Sequence, residues 1–111
     1  GVDPRVMGIG PIPAVQALCA KLRMRPQDFD IVESNEAFAA QALAVSRALN
    51  LDPDKVNPSG GAIALGHPVG ATGAILTVKA LHALERTGQG TALVTMCIGG
   101  GQGIAIAIER P

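Results

Sequence analysis

The sequence predicts an α/β fold in which helices cover both faces of a β-sheet. Apolar segments with helical and strand-like periods alternate along the 111 residues. Residues 103–109 (G-I-A-I-A-I-E) are apolar on both faces, as in a central strand packed between helices. Residues 70–86 are apolar nearly all round a helical cylinder, which predicts a helix enclosed by other structure. Three strands can be placed, which is few for such a sheet and suggests part of a larger fold.

The chain opens irregularly and then enters a first helix. Residues 1–10 contain glycine and proline at close spacing, so we expect no regular element there. Pro11 and Pro13 stand at the start of a helix predicted over residues 13–23, where proline is tolerated. A short apolar segment, residues 29–33, predicts the first strand.

A second helix is predicted over residues 36–49, with Ser34 or Asn35 as its N-terminal cap. Its buried face is defined by apolar residues spaced by four, three and four: Phe38, Ala42, Val45 and Leu49. A capping side chain is committed to its helix. Asn35 can therefore take part in a site only if Ser34 does the capping.

A glycine-rich loop at residues 57–73 separates this part from a helix over residues 70–86 and strands over residues 91–97 and 103–109. The loop holds five glycines, two prolines and His67. It matches neither G-x-G-x-x-G nor G-x-x-x-x-G-K-[ST], so a nucleotide phosphate site is not indicated. A glycine-rich backbone between well-patterned elements usually has a specific task, and His67 is the natural candidate for chemistry.

The composition argues against several classes of function. Nine basic residues balance nine acidic ones, and no basic patch suggests nucleic acid. The helical segments are too interrupted for the roughly 18 apolar residues of a membrane span. Cys19 and Cys97 lack metal-ligand spacing, so no metal is expected, and nothing suggests secretion. We therefore expect two reduced thiols and a cytoplasmic location, with Cys19 in the core.

Asn35, His67 and Cys97 each stand at the end of an element, where open α/β folds bind their ligands. A Cys/His/Asn set suits acyl and thioester chemistry, because a thiol can carry a proton or attack, and a histidine can act as base or hold an oxyanion. A cysteine base needs a lowered pKa, which nearby polar groups can supply. The same residues could instead be a helix cap, a hydrogen-bonded loop residue and a small buried apolar side chain, respectively. The glycines after Cys97 could likewise be a plain hairpin link.

Three segments taken together resemble the C-terminal signature blocks of thiolases. They are residues 35–39 (N-E-A-F-A), 60–68 (G-G-A-I-A-L-G-H-P) and 97–103 (C-I-G-G-G-Q-G), and residues 7–11 (M-G-I-G-P) also fit. Their order and spacing agree with the family across essentially the whole chain. The similarity is greatest to acetyl-CoA acetyltransferases, 3-ketoacyl-CoA thiolases and 3-oxoadipyl-CoA thiolases of bacteria.

The resemblance implies a thiolase-like fold of two similar α/β halves, each with a five-stranded mixed sheet and with helices buried between the sheets. Residues 1–111 would form most of the C-terminal half, and the first strand of that half would precede Gly1. The implied activity is that of an acyltransferase of fatty acid metabolism, the reversible Claisen condensation or thiolysis of 3-ketoacyl-CoA. Coenzyme A would be a substrate, and no cofactor is expected. The implied partners are acyl-CoA substrates, the N-terminal half and further copies in a dimer or tetramer, with neither nucleic acid nor membrane.

By motif position, the resemblance assigns roles to five residues. His67 would activate the nucleophilic cysteine and, with Asn35 acting through an ordered water, would form an oxyanion site. Cys97 would be the acid or base that exchanges the substrate proton, and the N–H of Gly99 would belong to a second oxyanion hole. Phe38 would line the tunnel for the pantetheine arm. No cysteine here matches the family's acylated one, so the chain alone is expected to be inactive.

Three alternatives remain open. The chain could belong to a thiolase-like protein that binds acyl-CoA or lipid without condensing it, and an active-site cysteine in the upstream sequence would argue against that. It could belong to a related ketosynthase-type condensing enzyme, although residues 97–101 (C-I-G-G-G) favour a thiolase. It could also be a scaffold module.

Overall fold

The computed structural model describes residues 1–111 and confirms an α/β fold with a mixed sheet and helices on both faces. Its strands are β1 (Ile31–Ser34), β2 (Thr91–Ile98) and β3 (Gln102–Glu109), in the order β1-β2-β3. β1 runs parallel to β2, and β2 runs antiparallel to β3. The helices are α1 (Pro11–Leu22), α2 (Ala39–Leu49), the short α3 (Ala62–Leu65) and α4 (Thr72–Thr87). None of them combines the length and the apolar composition that a membrane span requires.

The first ten residues are more regular than expected. Two 3-10 turns separated by a kink at Val6 span Pro4–Ile9, and a 3-10 helix spans Pro26–Asp28. The first begins with a proline, and the Asp3 carboxylate accepts a hydrogen bond from the N–H of Arg5 at 2.9 Å. The expectation of an irregular entry is wrong because proline and an aspartate cap both favour the start of a helical turn.

One face of the sheet is covered by α1 and α2. Cys19 is buried there, as predicted. The other buried members of this core cluster are Val15, Phe29, Val32, Val45, Leu49 and Leu93. The cluster thus contains one aromatic ring among aliphatic side chains, as the composition requires.

The opposite face of the sheet is covered by α4. The buried members of this second cluster are Ile31, Leu76, Ala80, Ala83, Leu84, Ala92 and Val94. The other flank of α4 remains exposed at Ile75, Val78 and Leu81. The prediction of a helix enclosed on all sides is therefore wrong within this chain, because only the flank toward the sheet is covered.

β3 is an edge strand, and β2 is the central one. Within this chain, residues 103–109 therefore form an outer strand rather than the predicted central one. Ala105 and Ala107 pack against the first cluster, whereas Ile104 and Ile106 on the other face are each 43% exposed. An apolar pattern reports a preference for burial and does not specify which strands flank the segment.

α2 begins at Ala39, three residues later than predicted, and neither Ser34 nor Asn35 caps it. The N–H of Asn35 donates to the carbonyl of Thr95 at 2.9 Å, so the extended chain of β1 continues past Ser34. Phe38 is the residue before the helix and is 61% exposed, so its assignment to the buried face is wrong. The buried stripe consists of Gln41, Val45 and Leu49.

A buried ion pair joins β1 to α4. Glu33 has no exposed surface, and its Oε2 accepts a hydrogen bond from Lys79 Nζ at 2.8 Å. Burial raises the pKa of Glu33, and Lys79 opposes that shift. Lys79 also donates to the carbonyl of Gly60, so the same ammonium group ties the start of the glycine-rich loop to α4.

Candidate active site

The candidate site lies where β1 and β2 end. Asn35 directly follows β1, and Cys97 is the penultimate residue of β2. Because the two strands are parallel, their carboxyl ends share one edge of the sheet. The loop between α3 and α4 brings His67 to the same edge, with its Nε2 atom 3.4 Å from Asn35 Nδ2.

An apolar cavity of about 360 Å³ opens at this edge. It is lined by His67, Cys97, Gly99 and Phe38. Asn35 is not part of the lining but contacts the ring of His67. The remaining lining residues are Met7, Ala37, Val69, Met96 and Ile98. The structure therefore brings together all five residues that the sequence singled out. A mostly apolar cavity with a few convergent polar groups is the usual form of a small-molecule site.

Asn35 is held deep beside the cavity. It is 1% exposed, and its Oδ1 atom accepts no hydrogen bond from the protein. A buried polar atom without a protein partner is uncommon and is found more often in functional sites than elsewhere. The interpretation of Asn35 as a helix cap is wrong, because its side chain reaches across the structure to His67.

His67 is fixed by its neighbours in the loop. Gly66 precedes it with φ +97°, a conformation that glycine adopts readily. The Nδ1 atom of His67 lies 2.6 Å from the hydroxyl oxygen of Thr72, the first residue of α4. Both ring nitrogens are thus engaged, Nδ1 by a hydroxyl group and Nε2 by the amide of Asn35.

The thiol of Cys97 borders the cavity but is largely buried, at 7% exposure. Burial raises its pKa, and a backbone hydrogen bond offsets this only in part. Within this chain the expectation of a lowered pKa for Cys97 is wrong, because the effect of burial exceeds that of the backbone hydrogen bond. Cys97 is therefore a protonated thiol at neutral pH, which suits a proton donor better than a resting base.

The raised pKa of Cys97 predicts slow alkylation by iodoacetamide at neutral pH. Because the thiolate is the reacting form, we expect the rate to rise with pH to a midpoint above the ordinary value of about 8.5. Mass spectrometry of tryptic peptides measures the rate. Cys19, which lies in the core away from this cavity, is the internal control and should react more slowly. A midpoint below the ordinary value would contradict the burial argument.

The link between β2 and β3 is a glycine hairpin, so the plain structural interpretation of residues 99–103 is correct. Gly100 and Gly101 have φ values of +87° and +88°. A side chain on Gly101 would overlap the carbonyl of Val2, whose N–H donates to the Gly101 carbonyl at 2.7 Å. Gly99 meanwhile lines the cavity, with no atom close to where a side chain would stand. The hairpin and an open backbone at the site are thus compatible.

Glu36 is a residue of the site that the sequence did not single out. One of its carboxylate oxygens accepts the N–H of Ile63 at 3.0 Å, and the other accepts Asn57 Nδ2 at 3.3 Å. A side chain on Gly61 would overlap this carboxylate. Glu36 thereby joins the segment of Asn35 to the loop that carries His67. Its position beside Asn35 was the available signal, but the predicted helix start placed it inside α2.

Asn57 makes a second connection between the same segments. Its Oδ1 accepts the N–H of Ser34 at 2.9 Å, and its Nδ2 donates to the carbonyl of Ser34 at the same distance. Its φ of +48° also places it in a turn, the role considered from the sequence. Asn57 therefore forms the turn and fastens the loop to β1.

Comparison with known proteins agrees with this geometry. The family model described as "Thiolase, C-terminal domain" matches residues 1–110. Beta-ketothiolase BktB of Cupriavidus necator is 62% identical over 110 residues, which are 99% of this chain and 28% of that protein. Beta-ketoadipyl-CoA thiolase of Pseudomonas knackmussii is 59% identical over 112 residues, again 28% of its length.

The fold comparison gives the same answer. The crystal structure of human mitochondrial 3-ketoacyl-CoA thiolase superimposes with a TM-score of 0.96 at 51% identity. It covers all of this chain, which corresponds to 28% of the human one. The chain thus spans a little over a quarter of the length of the relatives that it matches. With its family model, its identity to these relatives and its fold in agreement, the chain belongs to the thiolase family.

Proposed function

We propose that this chain supplies the His67, Asn35 and Cys97 side of a thiolase active site. The full protein would catalyse thiolysis of 3-ketoacyl-CoA and the reverse Claisen condensation. The observation that carries this proposal is the single cavity lined by His67, Cys97 and Gly99, with Asn35 on His67. The nucleophilic cysteine comes from outside these residues, and coenzyme A enters as a substrate rather than as a cofactor.

His67 begins the reaction as a base. Its Nε2 accepts the proton of the nucleophilic cysteine, whose thiolate attacks the ketone carbonyl of the 3-ketoacyl-CoA. The oxyanion of this adduct accepts a hydrogen bond from the N–H of Gly99, which belongs to the second oxyanion hole. Preorganised donors of this kind are worth about 10²–10³ in rate each. Collapse of the adduct breaks the bond between the α- and β-carbons and leaves an acyl-cysteine and an acetyl-CoA enolate.

Cys97 completes this step as an acid. Its thiol gives its proton to the enolate carbon. Until the transfer is complete, the enolate oxygen of the thioester is held by the protonated Nε2 of His67 and by Asn35 acting through an ordered water. The raised pKa of Cys97 supports this role, because the group is protonated when the enolate forms. In condensation the same thiolate takes an α-proton from acetyl-CoA. In the last step the Cys97 thiolate takes the proton of the thiol of a second coenzyme A, whose sulfur attacks the acyl-cysteine. The acyl group passes to coenzyme A, the bond to the nucleophilic cysteine breaks, and that cysteine regains its proton from His67.

The other proposed partners follow from the same assignment. Phe38 is largely exposed at the cavity, where an aromatic ring can pack against a pantetheine arm. We propose acyl-CoA thioesters as ligands, and a dimer or tetramer of the full protein as the assembly. The cytoplasm is the proposed location, in keeping with two free thiols.

A chimera tests the proposed function directly. In beta-ketothiolase BktB, the matching 28% is replaced by residues 1–110 of this chain. We expect the chimera to cleave acetoacetyl-CoA with coenzyme A, and the chain alone to have no activity. Cys97→Ala in the chimera should lower kcat by about 10²–10⁴-fold, the usual contribution of a general acid or base.

Cys19→Ala is the matched control for this experiment, since its thiol lies in the core rather than at the cavity. The proposal is wrong if the folded chimera binds coenzyme A but does not cleave the substrate. It is also wrong if Cys97→Ala and Cys19→Ala have equal activity.

A further inference from the structure

The hydroxyl group of Thr72 lies between the imidazole of His67 and the backbone of the loop. Thr72 is 3% exposed at the first position of α4. Its Oγ1 donates to the carbonyl of Pro68 at 3.0 Å, the bond to residue i−4 that threonine commonly makes in helices. The same carbonyl accepts the N–H groups of Ala71 and Thr72. It therefore accepts three hydrogen bonds at the start of α4.

This arrangement links the hydrogen of the Thr72 hydroxyl group to the tautomer of His67. A hydroxyl group has one hydrogen, and the Thr72 oxygen lies 3.0 Å from the Pro68 carbonyl and 2.6 Å from His67 Nδ1. With that hydrogen directed at the Pro68 carbonyl, the oxygen accepts from His67, and Nδ1 is the protonated nitrogen. On the other side of the ring, Asn35 Nδ2 is a donor facing Nε2 at 3.4 Å. With these donor and acceptor roles, both neighbours fit a hydrogen on Nδ1 and a lone pair on Nε2.

We propose that Thr72 is a positioning residue that holds His67 in the Nδ1–H tautomer, so that Nε2 is free to accept a proton. In water, a free neutral histidine side chain prefers the opposite tautomer, so the Nδ1–H form needs a cause within the protein. The catalytic consequence rests on the proposed function, whereas the tautomer does not. When Nε2 gains its proton, the bond from Nδ1 to Thr72 is unchanged, and the ring can act without reorienting.

Nitrogen-15 NMR of the chain labelled at histidine tests the tautomer. The chain has two histidines, so His82→Gln leaves His67 as the single signal. Spectra are recorded at increasing pH until the shifts no longer change, so that the neutral ring is observed. We expect Nδ1 to show the shift of a protonated nitrogen and Nε2 that of an unprotonated one. The opposite assignment would overturn the proposal, because Thr72 would then be the donor.

Two substitutions at Thr72 separate the hydroxyl group from the shape of the side chain. Thr72→Val keeps the branched form without a hydroxyl group, and Thr72→Ser keeps the hydroxyl group. We expect Thr72→Val to populate the Nε2–H tautomer and Thr72→Ser to retain the Nδ1–H tautomer. Unchanged shifts in Thr72→Val would overturn the proposal. Circular dichroism confirms folding, and the wild-type spectrum remains decisive even if Thr72→Val does not fold.

Kinetics of the chimera test the catalytic consequence. We expect Thr72→Val to lower kcat by at least about 10-fold with little change in KM, within the roughly 10⁴-fold that a wrong tautomer costs a serine protease. Thr72→Ser should restore kcat. If Thr72→Val changes the tautomer but not kcat, then His67 is not the base, and the proposed function fails while the tautomer assignment stands. If neither changes, the positioning role of Thr72 fails and the proposed function is untouched.

Discussion

His67→Ala is expected to lower kcat of the chimera by at least about 10³-fold while leaving the domain folded. The substitution removes both the base and a donor to the oxyanion. A general base raises the rate by about 10²–10⁴-fold, and a donor to an oxyanion raises it by about 10²–10³-fold. The ring lies in a loop at the cavity and outside both core clusters, so little stability is lost with it. Thiolysis of acetoacetyl-CoA measures kcat, and urea unfolding measures stability.

His82→Ala is the matched control for this substitution. His82 is on the exposed side of α4, 3.1 Å from Glu85, and does not line the cavity. We expect His82→Ala to match the parent chimera in kcat. If His67→Ala keeps kcat within about 10-fold of His82→Ala, the assignment of His67 as the base is wrong.

Lys79→Met is expected to destabilise the domain by about 3–5 kcal/mol, the usual effect of removing one partner of a buried ion pair. It leaves the carboxylate of Glu33 in the interior without a counter-charge. Urea unfolding followed by circular dichroism measures the free energy of unfolding. Glu33→Gln combined with Lys79→Met removes both charges and should recover much of the loss.

The loss in free energy of unfolding caused by Lys79→Met should also depend on pH. Burial already raises the pKa of Glu33, and loss of Lys79 removes the opposing influence, so the pKa of the folded state rises further. A carboxyl group with a raised folded pKa stabilises the fold below its unfolded pKa, and this stability is lost as the pH rises through the folded pKa. The deficit should therefore be larger near pH 8 than near pH 5. An equal deficit at both pH values would contradict this explanation.

The strongest periodic segments were predicted correctly from the sequence. β2 and α4 match the predicted segments to within two residues at either end, because both combine a long apolar pattern with clear glycine boundaries. β3 was placed correctly along the chain, but within this chain it is an outer strand rather than the predicted central one. Its order depends on pairing with β2, and a local pattern contains no information about pairing partners.

The start of α2 shows why polar residues near a boundary are difficult to interpret. Asn35 and Glu36 look like the cap and first turn of a helix, and both are common in those positions. In the structure their side chains bond instead to His67 and to Ile63, 32 and 27 residues further along the chain. The local sequence favours a helix cap at Asn35, but the hydrogen bonds to residues distant in the chain determine where its side chain lies.

The residues Asn35, His67 and Cys97 of the candidate site were predictable from the sequence, but Glu36 and the electrostatics of the site were not. Asn35, His67 and Cys97 were recognisable from their motifs, since each stands in a characteristic sequence block. The raised pKa of Cys97 and the hydroxyl contact of Thr72 with His67 depend on burial and distance, which no motif specifies. The chemistry of the site therefore had to come from the structure.

The parallel pairing of β1 with β2 has a consequence for folding kinetics. It joins residues some 60 positions apart, with Ile31 opposite Ala92 and Ser34 opposite Thr95. Non-local strand pairing is slow, because the entropy of closing a long loop is lost before the contacts form. Asn35 and Cys97 become neighbours only in that event. We expect the ability to bind a ligand to be regained in the last, slowest phase of refolding. Ligand binding would then follow the pairing of β1 with β2 rather than the formation of the helices.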